Sequence, residues 1–416
     1  MKGEIPLEEP REGIRRALVL SGGGARGAYE AGVLQFVRGE LPQRLGFVPR
    51  IDIYSGTSVG AVHACHLAAY SDDPPAGVRR LTQLWRDMSF SSVYRFGASD
   101  ALSFTRTLLG FATGMSVGSE TKADRIHGLF NTEPLEKLVI DEIPWRRLRR
   151  NVRRGTFGTL CVAATEIASG RTVVFVDNRE REVPSWTRDP QLVARPSRIG
   201  PAHALASAAI PFLFPAVRVR DSYFCDGSLR LHTPLSPALR LGSNRVLSIA
   251  LGHRDLSGAG DPVSEERIEQ FRSAGFLFGK VLNAFLIDRL EYDLGHMRVL
   301  NQVLRASLET AGEQHLEMLN AHVARERGLG FQIVEDCCVQ PSEDIGAIAA
   351  RHLHARGSRS WIGNLALRVL ARGAPVDEAD LVSYLLFDGE YAADLIELGR
   401  SDAAASEERL ARFFTD

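Results

Sequence analysis

The chain contains few cysteines and no long hydrophobic run. Its 416 residues include five cysteines without C-x-x-C spacing, and the adjacent pair Cys337 and Cys338 is poorly placed for a zinc site or a disulfide framework. The most apolar stretch, residues 273–287, is interrupted by Lys280 and is too short to cross a bilayer. These absences favour a reducing compartment, and we expect a cytoplasmic protein without a transmembrane helix.

The sequence also lacks net charge, internal repeats and low-complexity segments. Lysine and arginine total 50 against 51 acidic residues, a formal charge of −1 at pH 7. A near-neutral balance argues against a general nucleic-acid binder. The polar N-terminus, residues 1–16, shows no apolar stretch typical of a secretory signal. A length of 416 residues allows one or two domains.

One local exception to this balance is the segment 144–154, which carries six arginines and one tryptophan. On a helix these arginines would cover most faces. We interpret the segment as a solvated helix whose arginines pair with nearby acidic residues. The alternative is a helix that docks on acidic lipid headgroups.

Short β-branched runs alternate with helical patterns along much of the chain. Strands are predicted at 17–20, 51–54, 159–165, 172–176, 245–250 and 331–339, and the first two are followed by predicted helices at 27–37 and 58–69. Strands that alternate with helices of this length indicate βαβ units and a parallel sheet.

Two long stretches interrupt this alternation. Residues 88–125 mix aromatic residues, glycines and serines without a period, which suits either a lid over a site or a variable insertion. Residues 263–325 read as a helical insertion, interpreted as a hairpin whose apolar face is core, with lipid contact as the alternative. The tail is predicted to be helical at 344–356, 360–372, 378–387 and 391–399.

Ser58 lies at the centre of a G-x-S-x-G pattern, residues 56–60, directly after a predicted strand. This pattern is typical of a nucleophile elbow, a sharp strand-to-helix turn that exposes the serine hydroxyl. Glycines two residues to either side are needed because side chains there would collide. The pattern indicates acyl-transfer chemistry. Because it is short, the sequence around it must decide whether Ser58 is catalytic.

A second glycine-rich turn, residues 21–27, precedes the elbow by one βα unit. Gly22, Gly24 and Gly27 match G-x-G-x-x-G between a strand and a helix, so their backbone N–H groups could hold either a pyrophosphate or an oxyanion. Arg26 places a cation in the loop, and Asp52, inside the next strand, is a poor candidate for a ribose-binding acid. We therefore favour the oxyanion over a dinucleotide.

A serine nucleophile needs a neighbouring group that accepts its proton. The chain has eleven histidines, but none is flanked by a distinctive turn. His63 and His66 follow the elbow on its helix and are expected to point away from its tip, whereas His203, His232 and His253 are placed in loops or at strand ends. Asp226 is the better partner, because it ends an apolar strand and precedes a glycine that permits close approach.

Four sequence blocks, at 21–27, 56–60, 207–215 and 226–227, occur in the order found in the patatin-like phospholipases. The chain resembles this family over roughly residues 16–245, and the segment 381–391 is similar to the tail of its bacterial members. The resemblance implies an α/β fold, a three-layer α/β/α sandwich with a mainly parallel central sheet, a helical insertion and a helical C-terminal region. The predicted division is a polar segment 1–15, a catalytic domain 16–250 and a C-terminal region 251–416.

The resemblance also implies a lipid acyl hydrolase of the phospholipase A or lysophospholipase type. Ser58 and Asp226 would form a dyad without histidine that works through an acyl-enzyme, and a raised pKa is expected for Asp226. The implied oxyanion loop comprises Gly22, Gly23, Gly24, Ala25, Arg26 and Gly27, with donors at residues 23–25 and support from Arg26.

No cofactor or metal is implied. The expected partners are a lipid ester or phospholipid substrate and, as a candidate, a peripheral membrane surface. Alternatives are an acyltransferase that uses the same serine and a catalytically silent lipid-binding scaffold.

Overall fold

The structure is a computed structural model that describes residues 5–95, 131–183, 191–211, 213–252, 290–355 and 380–415. These residues form a nine-stranded sheet with helices on both faces. The strands are β1 (Arg16–Leu20), β2 (Ile53–Thr57), β3 (Thr159–Glu166), β4 (Thr172–Asn178), β5 (Leu192–Pro196), β6 (Val217–Val219), β7 (Ser222–Asp226), β8 (Arg245–Ile249) and β9 (Glu335–Val339).

The sheet is mainly parallel, as predicted. Its order is β5-β4-β3-β2-β1-β8-β9, and β7 pairs with both β3 and β6. The neighbours from β3 to β9 in this order are all parallel, whereas β4 and β7 run antiparallel to β3. Leu20 of β1 is the register partner of Gly56 in β2. The glycine turn after β1 and the elbow after β2 therefore lie at the same edge of the sheet.

Helices cover both faces of this sheet. They are α1 (Gly27–Gln35), α2 (Leu41–Leu45), α3 (Val59–Ala69), α4 (Pro74–Arg86), α5 (Phe90–Val93), α6 (Glu133–Glu142), α7 (Trp145–Arg154), α8 (Pro201–Ser207), α9 (Leu235–Arg240), α10 (Leu290–Arg327), α11 (Ile345–Ala355), α12 (Asp380–Leu385), α13 (Gly389–Ala405) and α14 (Glu407–Thr415). A π-helical turn, Phe36–Glu40, joins α1 to α2.

Alternate side chains of β1 enter two separate cores. Leu18 and Leu20 belong to a large core with α1, α3, α4 and the C-terminal helices, whereas Ala17 and Val19 belong to a smaller core with α9 and the start of α10. This is the period-two alternation of a strand buried on both faces. The layers are therefore helix, sheet and helix, which confirms the predicted three-layer fold.

Several boundaries differ from the sequence prediction. Strand β2 extends to Thr57 rather than ending at residue 54, because its pairing with β3 continues to the elbow. The late strand begins at Glu335 rather than residue 331. Strands β5 and β6 were not predicted, since β5 is only partly buried and β6 has three residues, which leaves little hydrophobic pattern to read.

The predicted insertions are only partly described. Residues 96–125 of the lid-or-insertion segment, 263–289 of the helical insertion and the predicted helix at 360–372 lie outside the described residues. The described part of the insertion is α10, in which Gly312 has a non-helical φ of 76°. The predicted tail helix at 391–399 extends from residue 389 to 405, and α14 follows it without having been predicted.

The contact between α1 and α13 is unusually close. A Cβ on Gly32 of α1 would lie 2.0 Å from the carbonyl oxygen of Ile396 in α13, and one on Gly399 would lie 2.2 Å from that of Tyr29. Both distances are far below van der Waals contact, and the obstructing atoms are backbone, which cannot rotate away. Helix α13 can therefore lie this close to α1 only because both positions lack a side chain.

We predict that Gly32→Ala lowers the free energy of unfolding by about 1–3 kcal/mol, because the added methyl group forces α1 and α13 apart. The matched control is Gly39→Ala, whose added Cβ would meet only Val78 at 3.8 Å and should be tolerated. Denaturant unfolding measures both variants. Equal effects of the two substitutions would contradict the close packing described here.

Candidate active site

Ser58 occupies a strained turn between β2 and α3. Its φ of 55° and ψ of −127° are unusual for a residue with a side chain, and it is buried. A Cβ on Gly56 would lie 2.2 Å from the Gly60 carbonyl oxygen, and a Cβ on Gly60 would lie 2.5 Å from that of Leu20. The sharp strand-to-helix turn predicted from the sequence is present, and its two glycines are required by these backbone contacts. Ser58 is nevertheless buried rather than exposed, because the neighbouring elements close over the turn.

The hydroxyl of Ser58 contacts the carboxylate of Asp226. Ser58 Oγ donates a hydrogen bond of 2.6 Å to Asp226 Oδ2, although 168 residues separate the two. Asp226 is the last residue of β7, and its other oxygen, Oδ1, accepts from the Ser228 N–H at 2.8 Å. The structure thus brings together the two side chains that the sequence analysis selected.

Asp226 lies in a dry environment. It is 1% exposed, and burial raises the pKa of its carboxyl above the ordinary value, while hydrogen bonds from Ser58 and Ser228 oppose that shift. The direction is the one expected from the sequence. A carboxylate with a raised pKa accepts a proton more readily than an ordinary aspartate does.

The backbone of Ser58 is held by a residue that the sequence analysis did not assign a role. Ser207, at the end of α8, accepts the Ser58 N–H through its Oγ at 2.9 Å and donates to the Ala163 carbonyl oxygen at 2.5 Å. Ser207 therefore ties the elbow to β3. Its one sequence signal is its position at the start of the block 207–215.

The glycine loop lies directly against the elbow. A Cβ on Gly22 would be 3.1 Å from that of Ser58. The N–H of Gly22 donates to the His232 carbonyl oxygen at 3.1 Å, and the N–H of Arg26 donates to Gly23 at 3.1 Å. The N–H of Gly27 is also bonded within the turn.

For the N–H groups of Gly23, Gly24 and Ala25, no acceptor is found among the described residues. All three residues are buried. They are the three that the sequence analysis named as donors.

Arg26 anchors the glycine loop to the C-terminal tail. Its guanidinium lies 4.1 Å above the ring of Tyr384, and its Nε donates to Ser383 Oγ at 2.6 Å. A Cβ on Gly24, whose φ is +55°, would lie 2.2 Å from the Tyr384 carbonyl oxygen. The tail therefore packs on the glycine loop through α12.

An apolar cavity of about 90 Å³ adjoins Ser58. Its wall includes Val59, Leu81, Trp85, Val93, Phe214 and Phe387. Tyr94 packs behind this wall, with its ring centroid 5.9 Å from that of Phe214 and 5.7 Å from that of Phe387. The described start of the segment 88–125 therefore contributes to the site, as does the tail.

His63 does not point away from the site as expected. It lines the same cavity as Ser58, but both of its ring nitrogens are occupied. Nδ1 lies 2.8 Å from Glu30 Oε2, and Nε2 accepts from Trp85 Nε1 at 3.0 Å. Burial lowers the pKa of His63 to about 3. The ring is therefore neutral. It contacts Glu30 and Trp85 because His63 lies on the face of α3 that packs on α1 and α4.

The other candidate histidines are also placed. His66 lines the cavity wall too, contrary to expectation, with Nε2 2.9 Å from the Gly77 carbonyl oxygen. His203 lies in α8 rather than in a loop or at a strand end, because Pro201 begins a short helix there. His232 lies in a loop, as expected, and His253 is outside the described residues. Ser58 Oγ donates to Asp226, not to any of these rings.

A family model for patatin-like phospholipases matches residues 18–239, more than half of the chain. The chain belongs to the patatin-like phospholipase family. The matched range of this family member includes the glycine loop, the elbow, Ser207 and Asp226, and it ends before the tail that holds Arg26. No curated protein sequence matches the chain.

Similar solved structures are distant. VipD from Legionella pneumophila is 13% identical, with a TM-score of 0.28 and coverage of 94% of this chain and 70% of that one. Human GIVD cytosolic phospholipase A2 is 11% identical, with a TM-score of 0.39 and coverage of 96% and 63%. ExoU, in complex with SpcU from Pseudomonas aeruginosa, is 16% identical, with a TM-score of 0.28 and coverage of 96% and 76%. The family model carries the assignment.

No described helix is both long enough and apolar enough to span a membrane. Within the part of the chain that the structure describes, no group of three or more histidine, cysteine, aspartate or glutamate side chains is placed to hold a metal ion.

Proposed function

We propose that this family member is a lipid acyl hydrolase in which Ser58 is the nucleophile and Asp226 the general base. The observation that carries the proposal is the 2.6 Å hydrogen bond from Ser58 Oγ to a buried carboxylate at a strained elbow. A serine hydroxyl is a weak nucleophile unless an adjacent base removes its proton. Membership of the family supports lipid esters as the substrate class.

In the acylation step, Ser58 Oγ attacks the ester carbonyl carbon while Asp226 Oδ2 takes its proton. The tetrahedral intermediate then collapses, the ester C–O bond breaks, and the alcohol leaves with the proton from Asp226. In deacylation, Asp226 accepts a proton from water, whose oxygen attacks the acyl-enzyme carbonyl. The fatty acid leaves, and the proton returns to Ser58 Oγ.

The oxyanion of each intermediate would be held by the N–H groups of Gly23, Gly24 and Ala25. They are buried beside the elbow, and the other loop N–H groups already have acceptors. Donors fixed before the reaction stabilise developing charge without reorganising. Gly22 and Gly27 shape the turn, and Arg26 keeps it in place through the tail.

The apolar cavity beside Ser58 would receive the acyl chain. Its wall is formed mainly by aliphatic and aromatic side chains, which gain from contact with a hydrocarbon chain and exclude water from the acyl-enzyme. This supports a lipid ester with an acyl chain over a small polar ester. We propose the phospholipase A or lysophospholipase class because the chain belongs to the patatin-like phospholipase family.

The dyad is tested by Ser58→Ala and Asp226→Asn in hydrolysis of a short-chain p-nitrophenyl ester and of a phospholipid. We expect each variant to lose about 10³-fold or more in turnover, because nucleophile and base act as one unit. The matched control is Ser248→Ala, which removes a buried serine hydroxyl from β8 and should retain turnover.

Wild-type turnover by either dyad variant would overturn the assignment, provided that circular dichroism shows a folded protein. Lipid products analysed with and without added lysolipid separate hydrolysis from acyl transfer. Free fatty acid as the main product in both cases is the expected result.

We also predict that the tail positions the glycine loop. Tyr384→Ala removes the ring beneath the Arg26 guanidinium and should lower kcat by about tenfold with little change in KM, because the oxyanion donors lose their support. Tyr384→Phe keeps the ring and should behave like the wild type. Equal effects on kcat and KM, or equal effects of both substitutions, would indicate a different role for Tyr384.

A further inference from the structure

The arginine-rich helix α7 is partly neutralised by acidic residues, as the sequence analysis favoured. Arg147 and Arg150 both pair with Asp72, at 2.8 and 2.9 Å, and Arg149 pairs with Asp177 at 2.6 Å. These contacts fix one side of the helix against the body of the protein. The remaining arginines of α7 are exposed.

Some of these arginines line a groove beside the loop that follows β4. This arginine groove has a cavity volume of about 460 Å³. Its lining includes six arginines, which are Arg146, Arg149, Arg153, Arg179, Arg181 and Arg198. The acid in its wall, Asp177, is already engaged, because its Oδ2 accepts from Arg149 and from the Ile199 N–H at 2.8 Å.

The groove therefore has a large excess of positive charge. Within the described ranges, no carboxylate lies within 4.0 Å of the guanidinium nitrogens of the five groove arginines other than Arg149. Arg149 also has a buried Nη2 for which no acceptor is found among the described residues. Converging arginines without carboxylate partners favour an anion as the ligand of the groove.

The loop that carries two of these arginines is held in a defined shape. Asn178 Nδ2 donates to the Glu182 carbonyl oxygen at 2.7 Å, and the Glu182 N–H donates back to Asn178 Oδ1 at 3.2 Å. Arg181 adopts a left-handed φ of 58°, which is uncommon for a residue with a side chain. The loop also contains Glu180, which with Glu182 is exposed and outside the groove lining.

The groove is separate from the active site. In the sheet, Asn178 pairs with Thr159 at the start of β3, whereas Asp226 pairs with Ala164 near its end. These positions are five steps apart along the strand, roughly 16 Å at about 3.3 Å per residue. An anion in the groove would therefore not be the ester undergoing cleavage at Ser58.

We propose that the arginine groove binds an anion that carries two or more phosphate groups. Guanidinium groups bind phosphate through paired, charge-assisted hydrogen bonds, and several converging arginines match several phosphates better than one. The phosphates can belong to a phospholipid headgroup such as that of cardiolipin or to a soluble polyphosphate. The proposal does not depend on the hydrolase activity.

The test uses the full chain, inorganic tripolyphosphate and phosphatidylcholine vesicles with and without cardiolipin. The groove variant is Arg153→Gln, Arg179→Gln and Arg181→Gln combined. The matched control is Arg79→Gln, Arg86→Gln and Arg325→Gln, which removes the same charge from exposed sites elsewhere. Titration calorimetry and vesicle sedimentation measure binding, and Arg179→Glu alone serves if the triple variant does not fold.

We expect the groove variant to weaken binding about tenfold or more and the control variant to bind like the wild type. Binding of tripolyphosphate, with no effect of cardiolipin on vesicle binding, identifies a soluble ligand. Vesicle binding that requires cardiolipin, without binding of tripolyphosphate, identifies a phospholipid headgroup. Either result supports the proposal. Equal weakening of binding by the groove variant and the control variant would mean that net charge alone governs binding, and it would overturn the proposal. Absence of wild-type binding to both probes would overturn it as well.

Discussion

One strand, β3, sets the distance between the side chains of Ser58 and Asp226. Thr57, next to Ser58, is the register partner of Ala163, and Asp226 is the partner of the adjacent Ala164. Because β2 and β7 both pair with β3, the sheet brings Ser58 and Asp226 to hydrogen-bond distance without any flexible loop between them. The Ala163 carbonyl oxygen also accepts from Ser207, which holds the Ser58 N–H. Preorganisation of this kind limits the freedom that a catalytic pair must lose.

The C-terminal part of the chain completes the same site. The family model ends at residue 239, yet Ser383 and Tyr384 hold Arg26, and Phe387 forms part of the cavity wall. The domain boundary predicted at residue 250 stays a prediction. A boundary there would place the glycine loop and the residues that support it in different domains. The close packing of α1 on α13 gives this arrangement its physical basis, because it fixes the tail against the helix that follows the loop.

Much of the site could be predicted from sequence because it depends on local backbone requirements. The elbow needs glycines beside Ser58, the loop needs glycine at its sharp turn, and Asp226 is marked by the strand before it and the glycine after it. The environment of His63 could not be predicted in this way. Its ring is held by Glu30 and Trp85 from two other helices, so its orientation depends on packing between elements that sequence periodicity does not pair.

Contacts between residues far apart in sequence also explain the other differences between the sequence predictions and the structure. The role of Ser207 depends on two contacts, to Ser58 and Ala163, that lie far away in sequence. The tail shows helical periodicity, but periodicity does not reveal that Tyr384 lies under Arg26. The arginine groove likewise combines residues from α7, from the loop after β4 and from the segment after β5, and only the first of these was recognisable as a basic segment.

We propose that a buried aspartate, not a histidine, activates Ser58. The most direct measurement is the pH dependence of kcat/KM for a soluble ester, in the wild type and in His63→Gln and His232→Gln. Asp226 must be ionised to accept the proton, so activity should fall as the pH drops through its folded pKa, with a midpoint above 3.8 that neither histidine substitution removes. If the loss of activity at low pH disappears in either histidine variant, or if activity persists unchanged below pH 3.8, Asp226 is not the base that activates Ser58.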